Sequence, residues 1–365
     1  MAIGFPTKAN WAAGDVLTAS AQDDLAGTVN LLSNASAASG TVLLSNVAGT
    51  SFSYSPLNAA GKNALINGGM DIWQRSTSAA GSGYKTADRW YNDVTGTVTS
   101  SQETTVIPSA ASYALKWTSG AASSYDNVYQ CIETANTLPL RGQIMTLSAY
   151  VQVSSSYSGV PSLVVAYNTV NDAMSGTWTN INTAAWASAP TTGYVRQTLT
   201  VTIPSSAVGI RVGIINSAAQ ASGQYMYIGN VQLELGSVAT AFSRAGGTLQ
   251  GELAACQRYY WRGVPTSTYS VLSSGGFGTT STTANIGFAL PVPLRVEPSS
   301  IDFSTIGLWD STGPQLAITA VAKNNCGNNT VNVVATVASG VTANRPYQIL
   351  SNGSTSGYIG FSAEL

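Results

Sequence analysis

From about Lys62 onward the chain alternates apolar and polar residues with a period of two, and that pattern confines it to half-buried strands. In residues 146–153, Leu147, Ala149, Val151 and Val153 share one face while Ser148, Tyr150 and Gln152 share the other. Val195, Leu199, Val201 and Ile203 alternate in the same way, as do Ile210, Val212 and Ile214, and then Tyr225, Tyr227, Val231 and Leu233. Further strands are expected at 64–73, 94–106, 114–117, 128–133 and 163–170. Strand after strand without an intervening helix makes a two-sheet sandwich, and the strand count suits a jelly roll.

The pattern breaks twice. Residues 1–62 are Ala- and Ser-rich, with Thr18 or Ser20 placed to cap a helix and Asp23 and Asp24 in its first turn. Leu25, Val29 and Leu32 would share one stripe of that helix, too narrow for a core in one chain but suited to packing on copies of itself. Residues 246–262 form the second break, a short helical linker in which Leu253, Cys256 or Gln257, and Tyr260 are expected on one side. Strands return at 268–272, 284–290, 301–303, 316–321, 331–337, 347–350 and 358–363. The expected fold is therefore mainly β: an N-terminal helical or extended segment at 1–62, a jelly-roll sandwich at 63–245, the linker, and a smaller C-terminal β-sandwich domain at 263–365.

Composition narrows the function. Charged residues make up 8% of the 365, against about 25% in ordinary domains. A net charge of −1 gives no electrostatic footprint for nucleic acid. The absence of histidine removes His-dependent triads, His zinc sites and His pH switches. Cys131, Cys256 and Cys326 are odd in number and lie outside any C-x-x-C spacing, so they read as free thiols. No run approaches the ~18–20 apolar residues of a membrane span, and Met1 to Trp11 lacks the pattern of an export signal. No G-x-S-x-G elbow or phosphate-binding loop occurs, and no pair of the 16 carboxylates is singled out by local arrangement. A non-enzymatic protein is expected.

Three segments carry a resemblance. Asn63-Ala-Leu-Ile-Asn-Gly-Gly-Met-Asp-Ile-Trp-Gln-Arg75 with Thr86-Ala-Asp-Arg-Trp90, and Tyr227 to Phe242 leading into Cys256-Gln-Arg-Tyr-Tyr260, resemble the first and last strands of jelly-roll modules in bacteriophage tail-fibre proteins. Those modules are themselves similar to carbohydrate-binding modules. Trp11 to Thr18 resembles the opening of many phage appendage proteins, and Leu294-Arg-Val-Glu-Pro298 with Gly360-Phe-Ser-Ala-Glu-Leu365 is similar to the domain that often follows such modules. The resemblance implies a virion protein released by lysis: a homotrimeric fibre or receptor-binding protein, attached to tail, baseplate or capsid proteins by its N-terminus and touching host-surface glycans. It also implies no cofactor, unless a structural calcium lies between first and last strands, where Asp71, Asn230 and Glu234 offer oxygens. A head fibre or capsid-decorating protein and a glycan depolymerase remain as alternatives.

The residues themselves read first as scaffold. Asn67-Gly68-Gly69 would permit positive φ, Trp73 and Trp90 would plug the core, and Asp88 and Arg89 would pair. Tyr and Trp, with 17 and 8 copies, outnumber the 7 Phe, which favours rings with a polar tip. Trp178, Asn180, Asn182, Trp186 and Tyr194 cluster around one short strand and are the candidate glycan contacts, against the plainer reading that such rings fill the core or an intersubunit surface. The Gly-rich stretches 273–283, 324–330 and 351–357 read as loops open to receptor contact or simply to solvent.

Overall fold

The protein is described here by a computed structural model, which covers residues 41–45, 52–56, 61–109, 111–120, 126–174, 176–216 and 218–365. The stripe of Leu25, Val29 and Leu32 lies outside these residues. Strands β1 (Thr41–Ser45) and β2 (Phe52–Pro56) pair antiparallel.

The sandwich is built from β3 (Ser78–Ala80), β4 (Gly83–Tyr84), β5 (Tyr91–Val94), β6 (Val98–Glu103), β7 (Ala114–Ser119) and β8 (Asp126–Ile132). It continues through β9 (Ile144–Val153), β10 (Pro161–Asn168), β11 (Thr179–Ala185), β12 (Val195–Thr202), β13 (Gly209–Asn216) and β14 (Tyr225–Leu235). One sheet has the order β11-β10-β13-β8-β5-β4 and the other β12-β9-β14-β7-β6-β3. β7 pairs β14, β8 pairs β13, β9 pairs β12 and β10 pairs β11, all antiparallel. This nesting, one long ribbon rolled so that successive rungs fall in alternate sheets, is the jelly roll expected. Its core takes the inward residues Leu147, Ala149, Val151 and Val153 of β9 and Ile210, Val212 and Ile214 of β13, plugged by Trp90 and Trp117.

Three sequence expectations fail locally, each for a physical reason. Residues 64–73 form turns rather than a strand. The Asn67 side chain organises them, its Nδ2 donating to the carbonyls of Ile72 and Asp88 while its Oδ1 accepts from Ile72 N–H. Positive φ falls on Asn67 and Met70 rather than the glycines; a Cβ on Gly68 would sit 2.0 Å from the Val231 carbonyl oxygen, so that glycine serves close approach. Tyr225 and Tyr227 do not share a face with Val231 and Leu233. The register of β14 on β9 shifts between Gly229 and Gln232, and the extra residue there turns the tyrosines outward while Val231 and Leu233 stay in the core.

Helix α1 (Thr134–Thr137) lies within the sandwich, and α2 (Leu249–Gln257) opens the link to the second β unit, capped by Thr248, whose Oγ1 accepts from Gly251 N–H. The buried side of α2 carries Glu252 and Cys256 instead of Leu253. Both Glu252 oxygens are occupied, one by Asn67 N–H and the other by Gly246 N–H at 2.7 Å. Tyr260 lies beyond the helix, in β15 (Tyr260–Gly263).

The C-terminal unit adds β16 (Gly275–Gly278), β17 (Thr283–Ala289), β18 (Ser300–Ser304), β19 (Ile306–Trp309), β20 (Leu316–Lys323), β21 (Thr330–Val337), β22 (Pro346–Ser351) and β23 (Tyr358–Ser362). It is the small β domain expected, but a barrel stands where a sandwich was read: β16-β17-β21-β20-β19-β22 close on themselves, and β15-β23-β18 form a three-stranded sheet beside them. Closure requires β16, which falls in a stretch expected to be a loop, and β19, which is not among the expected strands. Ile286, Phe288, Leu308, Val333 and Ile349 fill the barrel, and Phe361 of β23 packs edge-on against Phe288 at 5.0 Å.

The two units are joined by arginines. Arg89 pairs with Glu364 rather than with Asp88, both side chains being buried. Its guanidinium lies 3.5 Å from the Tyr259 ring and donates to the Cys131 carbonyl at 2.8 Å. Burial opposes the Arg89 charge, but the Glu364 carboxylate and the neighbouring phenols more than offset this and hold it protonated. Arg75 stacks on Tyr260 at 3.6 Å and also reaches Glu364 at 3.4 Å. Arg262 donates to the Gln74 carbonyl, Arg258 meets Glu133 at 3.1 Å, and Arg295 meets Asp172 at 2.7 Å. Asp88 instead accepts from Gln74, whose amide passes a second hydrogen bond to the Tyr260 carbonyl at 2.7 Å.

Glu364→Gln leaves the Arg89 guanidinium buried without a counter-charge and should destabilise the fold by about 3–5 kcal/mol, read as a lower urea midpoint at constant slope. Burial raises the Asp88 carboxyl from its ordinary range to about 7. Between the two values the folded chain binds more protons than the unfolded one, so stability falls as pH rises from about 4 to about 7. Asp88→Asn should flatten that slope in unfolding curves taken across this window.

Candidate functional site

The bulge that turns Tyr225 and Tyr227 outward also shapes the outer face of the β12-β9-β14-β7 sheet. Asn230, the bulge residue, adopts φ 49°, and Gly229 lies beneath Pro108. A Cβ on Gly229 would meet Pro108 Cγ at 2.6 Å, so this glycine lets residues 103–109 lie flat on the sheet. Asn230 Nδ2 donates to the Ser109 carbonyl at 3.3 Å, tying the same segment down. On the other side, residues 237–244 fold back over the sheet. Glu234 accepts from Thr240 N–H at 2.8 Å, and the Arg196 guanidinium donates to the Thr240 carbonyl and to Ser148 Oγ.

Between these two segments lies a cleft of about 410 Å³, lined by Ser109, Tyr150, Asn230, Phe242, Ser243 and Arg244. Tyr150 projects from β9 opposite Gly229 and Arg196, with the Arg196 guanidinium 5.7 Å from its ring. Arg244 is held by Asp71 through Nε at 2.7 Å and Nη2 at 3.2 Å. That hydrogen bonding, against a desolvation penalty, keeps Arg244 protonated. Its Nη1 and the Asn230 Oδ1 have no hydrogen-bond partner among the described residues. An aromatic face, an amide and a fixed cation therefore meet in one concave site. Further along the same face, Tyr225 and Tyr227 lie 4.8 Å apart under Lys116, and burial together with the Glu103 charge pushes the Tyr227 phenol up to about 12.

The candidate glycan contacts named from sequence are not gathered into one site. Trp186 is 3% exposed, part of the sandwich core, with Nε1 donating to the Val195 carbonyl at 3.0 Å. Its large apolar ring gains more from burial than from a solvated loop. Trp178 is half-buried, lies 4.8 Å from the Arg211 guanidinium and donates to the Met174 carbonyl. Asn180 and Asn182 are exposed on the edge strand β11. Tyr194 is half-buried, and its hydroxyl donates to the Val106 carbonyl at 2.9 Å, bracing the segment that walls the cleft. Neither Tyr150 nor Arg244 stands out in sequence: an outward residue on an alternating strand looks like any solvated position, and a single arginine in an irregular segment carries no pattern.

The three residues considered for calcium have other work. Asp71 holds Arg244, Glu234 accepts from Thr240 and Gln232, and Asn230 holds Ser109. Among the described residues, no group of three His, Cys, Asp or Glu side chains is placed to hold a metal ion. The thiols are unpaired, and burial pushes Cys131 up to about 12.

No protein-family model matches the chain, and no curated protein does. Solved structures are similar in part. The C-terminal family 22 carbohydrate-binding module of Clostridium thermocellum Xyn10B is 12% identical over 44% of this chain and 96% of its own, with a TM-score of 0.32. A putative sugar-binding protein from Bacteroides thetaiotaomicron is 13% identical over 48% of this chain and 100% of its own, at 0.34. The enzymatically active domain of bacteriophage CBA120 tailspike protein 4 is 14% identical over 48% of this chain but 21% of its own, at 0.35. Likeness of this degree carries no information about ligand or activity, so the chemistry has to come from the residues themselves.

Gly229→Ala should lift Pro108 and its segment from the sheet. The expected cost is about 1–3 kcal/mol in thermal unfolding, accompanied by faster proteolysis within residues 103–109.

Proposed function

We propose that this chain is a non-enzymatic glycan-binding protein of a tailed-phage particle, a trimeric fibre attached by residues 1–62 and contacting host-surface sugars. The observation that carries the binding reading is the cleft over Tyr150. A tyrosine ring can stack on the apolar face of a sugar while Asn230, Ser109 and Arg244 meet its hydroxyls, the mix of one aromatic platform and a few placed polar groups typical of such sites.

Carboxylate chemistry supports the non-catalytic part. Glycoside hydrolysis needs two facing carboxyl groups, one with a raised pKa. Among the described residues, the two acids raised by burial, Asp88 and Glu252, are occupied by Gln74 and by backbone N–H groups and line neither of the two clefts. The phage and fibre parts rest on the sequence resemblance. The trimer is supported by the scarcity of charge and by Ile144, Leu235 and Val238, about half exposed where β9 begins and β14 ends, an apolar end that a second copy would cover. Avidity would then multiply weak single contacts.

On a printed array of bacterial-surface glycans the intact protein should give a signal that Tyr150→Ala weakens roughly tenfold, the scale of one lost stacking contact. A signal indifferent to Tyr150, or release of reducing ends from a bound glycan, would sink this reading. Sedimentation should show a particle of three chains, and a monomer at micromolar concentration would remove the fibre.

A further inference from the structure

The C-terminal barrel carries a second concave surface, separate from the cleft over Tyr150. It measures about 450 Å³, within the range of ordinary ligand sites, and is lined by Ser274, Phe277, Trp309, Asp310, Ser311 and Gln348 among others. Strand register explains how these meet. β22 runs between β16 and β19, with Phe277 opposite Pro346 and Trp309 opposite Gln348. Tyr347 and Ile349 point into the barrel, so Pro346 and Gln348, with Phe277 and Trp309 beside them, point out. Phe277 and Trp309 thus flank the groove on strands two spacings apart, roughly 10 Å.

The backbone that carries Phe277 and the indole of Trp309 are held in place. Gly276 beside Phe277 admits no side chain, since a Cβ there would lie 1.8 Å from the Asn285 carbonyl oxygen, and Gly275 adopts φ 99°. Phe277 is nevertheless 61% exposed. Trp309 Nε1 donates to the Gly313 carbonyl at 3.1 Å, and the turn beneath it is closed by Asp310, which accepts from Thr312 and Gly313 N–H and pairs with Arg345 at 3.0 Å. Those hydrogen bonds hold the Asp310 carboxyl below its usual range, so it stays ionised as an acceptor. The Gln348 amide has no hydrogen-bond partner among the described residues, and Ser311 is kept at φ 67° on the rim. One anchored ring and one exposed ring on a close-packed strand, with an uncommitted amide and a carboxylate between them, suit a chain of sugar rings. An intersubunit contact would instead be flat and depleted of charge at its centre.

We infer that the groove between Phe277 and Trp309 binds a neutral oligosaccharide of at least two rings, stacked on the two aromatic faces and hydrogen-bonded by Gln348 and Asp310. It acts independently of the sandwich cleft, and a fibre carrying both would grip a polysaccharide at two places along each chain.

The test titrates the intact protein with cellotriose, maltotriose and β-1,4-galactotriose, each up to about 10 mM, ten times a millimolar dissociation constant. The readout is the indole N–H resonance of Trp309, assigned by its loss in Trp309→Phe. At least one trisaccharide should shift it. Phe277→Ala and Gln348→Ala should each weaken that response several-fold to roughly tenfold, whereas Tyr150→Ala leaves it unchanged. Phe277 lies outside the barrel core, so unfolding curves should stay at the wild-type midpoint, and Gln348→Ala serves if they do not. A Trp309 resonance unmoved by all three sugars overturns the inference, even where Tyr150-dependent binding persists on the array. An oligomer that dissociates on Phe277→Ala, with no sugar response, also overturns it and makes the groove a contact between copies.

Discussion

The interaction on which the arrangement depends is the buried pair of Arg89 and Glu364. In a chain with 15 basic and 16 acidic residues, charge is too scarce to decorate a surface, and much of it is placed where the two β units meet. A buried ion pair is a poor source of net stability, because desolvation takes back most of the Coulomb gain. Its value is geometric: only one docking of the barrel on the sandwich neutralises Arg89 while seating it on Tyr259 and the Cys131 carbonyl. Arg75 on Tyr260 and Arg262 on the Gln74 carbonyl repeat the arrangement nearby. The two clefts therefore sit on bodies held in a fixed relation.

Alternation made the long central strands legible. β12, β17 and β21 each bury one face, so their periodicity survives in sequence, and β9 and β13, though largely covered on both sides, still keep an unbroken apolar row facing the core. What stayed hidden has identifiable causes. β16 is Gly-Gly-Phe-Gly, which reads as a loop, yet Gly276 and Gly278 are there because neighbouring backbone comes within contact of the missing Cβ. β19 is only four residues long and gives no period to count. The bulge in β14 inverts the facing of half a strand, something strict alternation cannot reveal, although the Gly229-Asn230 pair was its visible trace.

The candidate site was less legible than the fold, for the same reason that binding surfaces generally are. Trp186 and Trp178 looked alike in sequence, flanking one strand, but the first lies in the core and the second covers Arg211. Tyr150 and Phe277 gain their meaning only from the segments that wall them: 103–109 and 237–244 for one, the turn after Trp309 for the other. Sequence separation between wall and floor exceeds any local motif.

The nested ribbon has a kinetic consequence. β7 finds its partner β14 only after more than a hundred residues have followed it, and Leu115 is matched with Ile228 in register. Contacts of such long sequence separation form slowly, because loop closure precedes any reward. During synthesis the early strands wait with open backbone edges, and few charged residues stand guard against a sister chain emerging nearby. Correct pairing within the chain and mispairing with a neighbour thus begin from the same half-made molecule, and the pace of translation decides how long it is exposed.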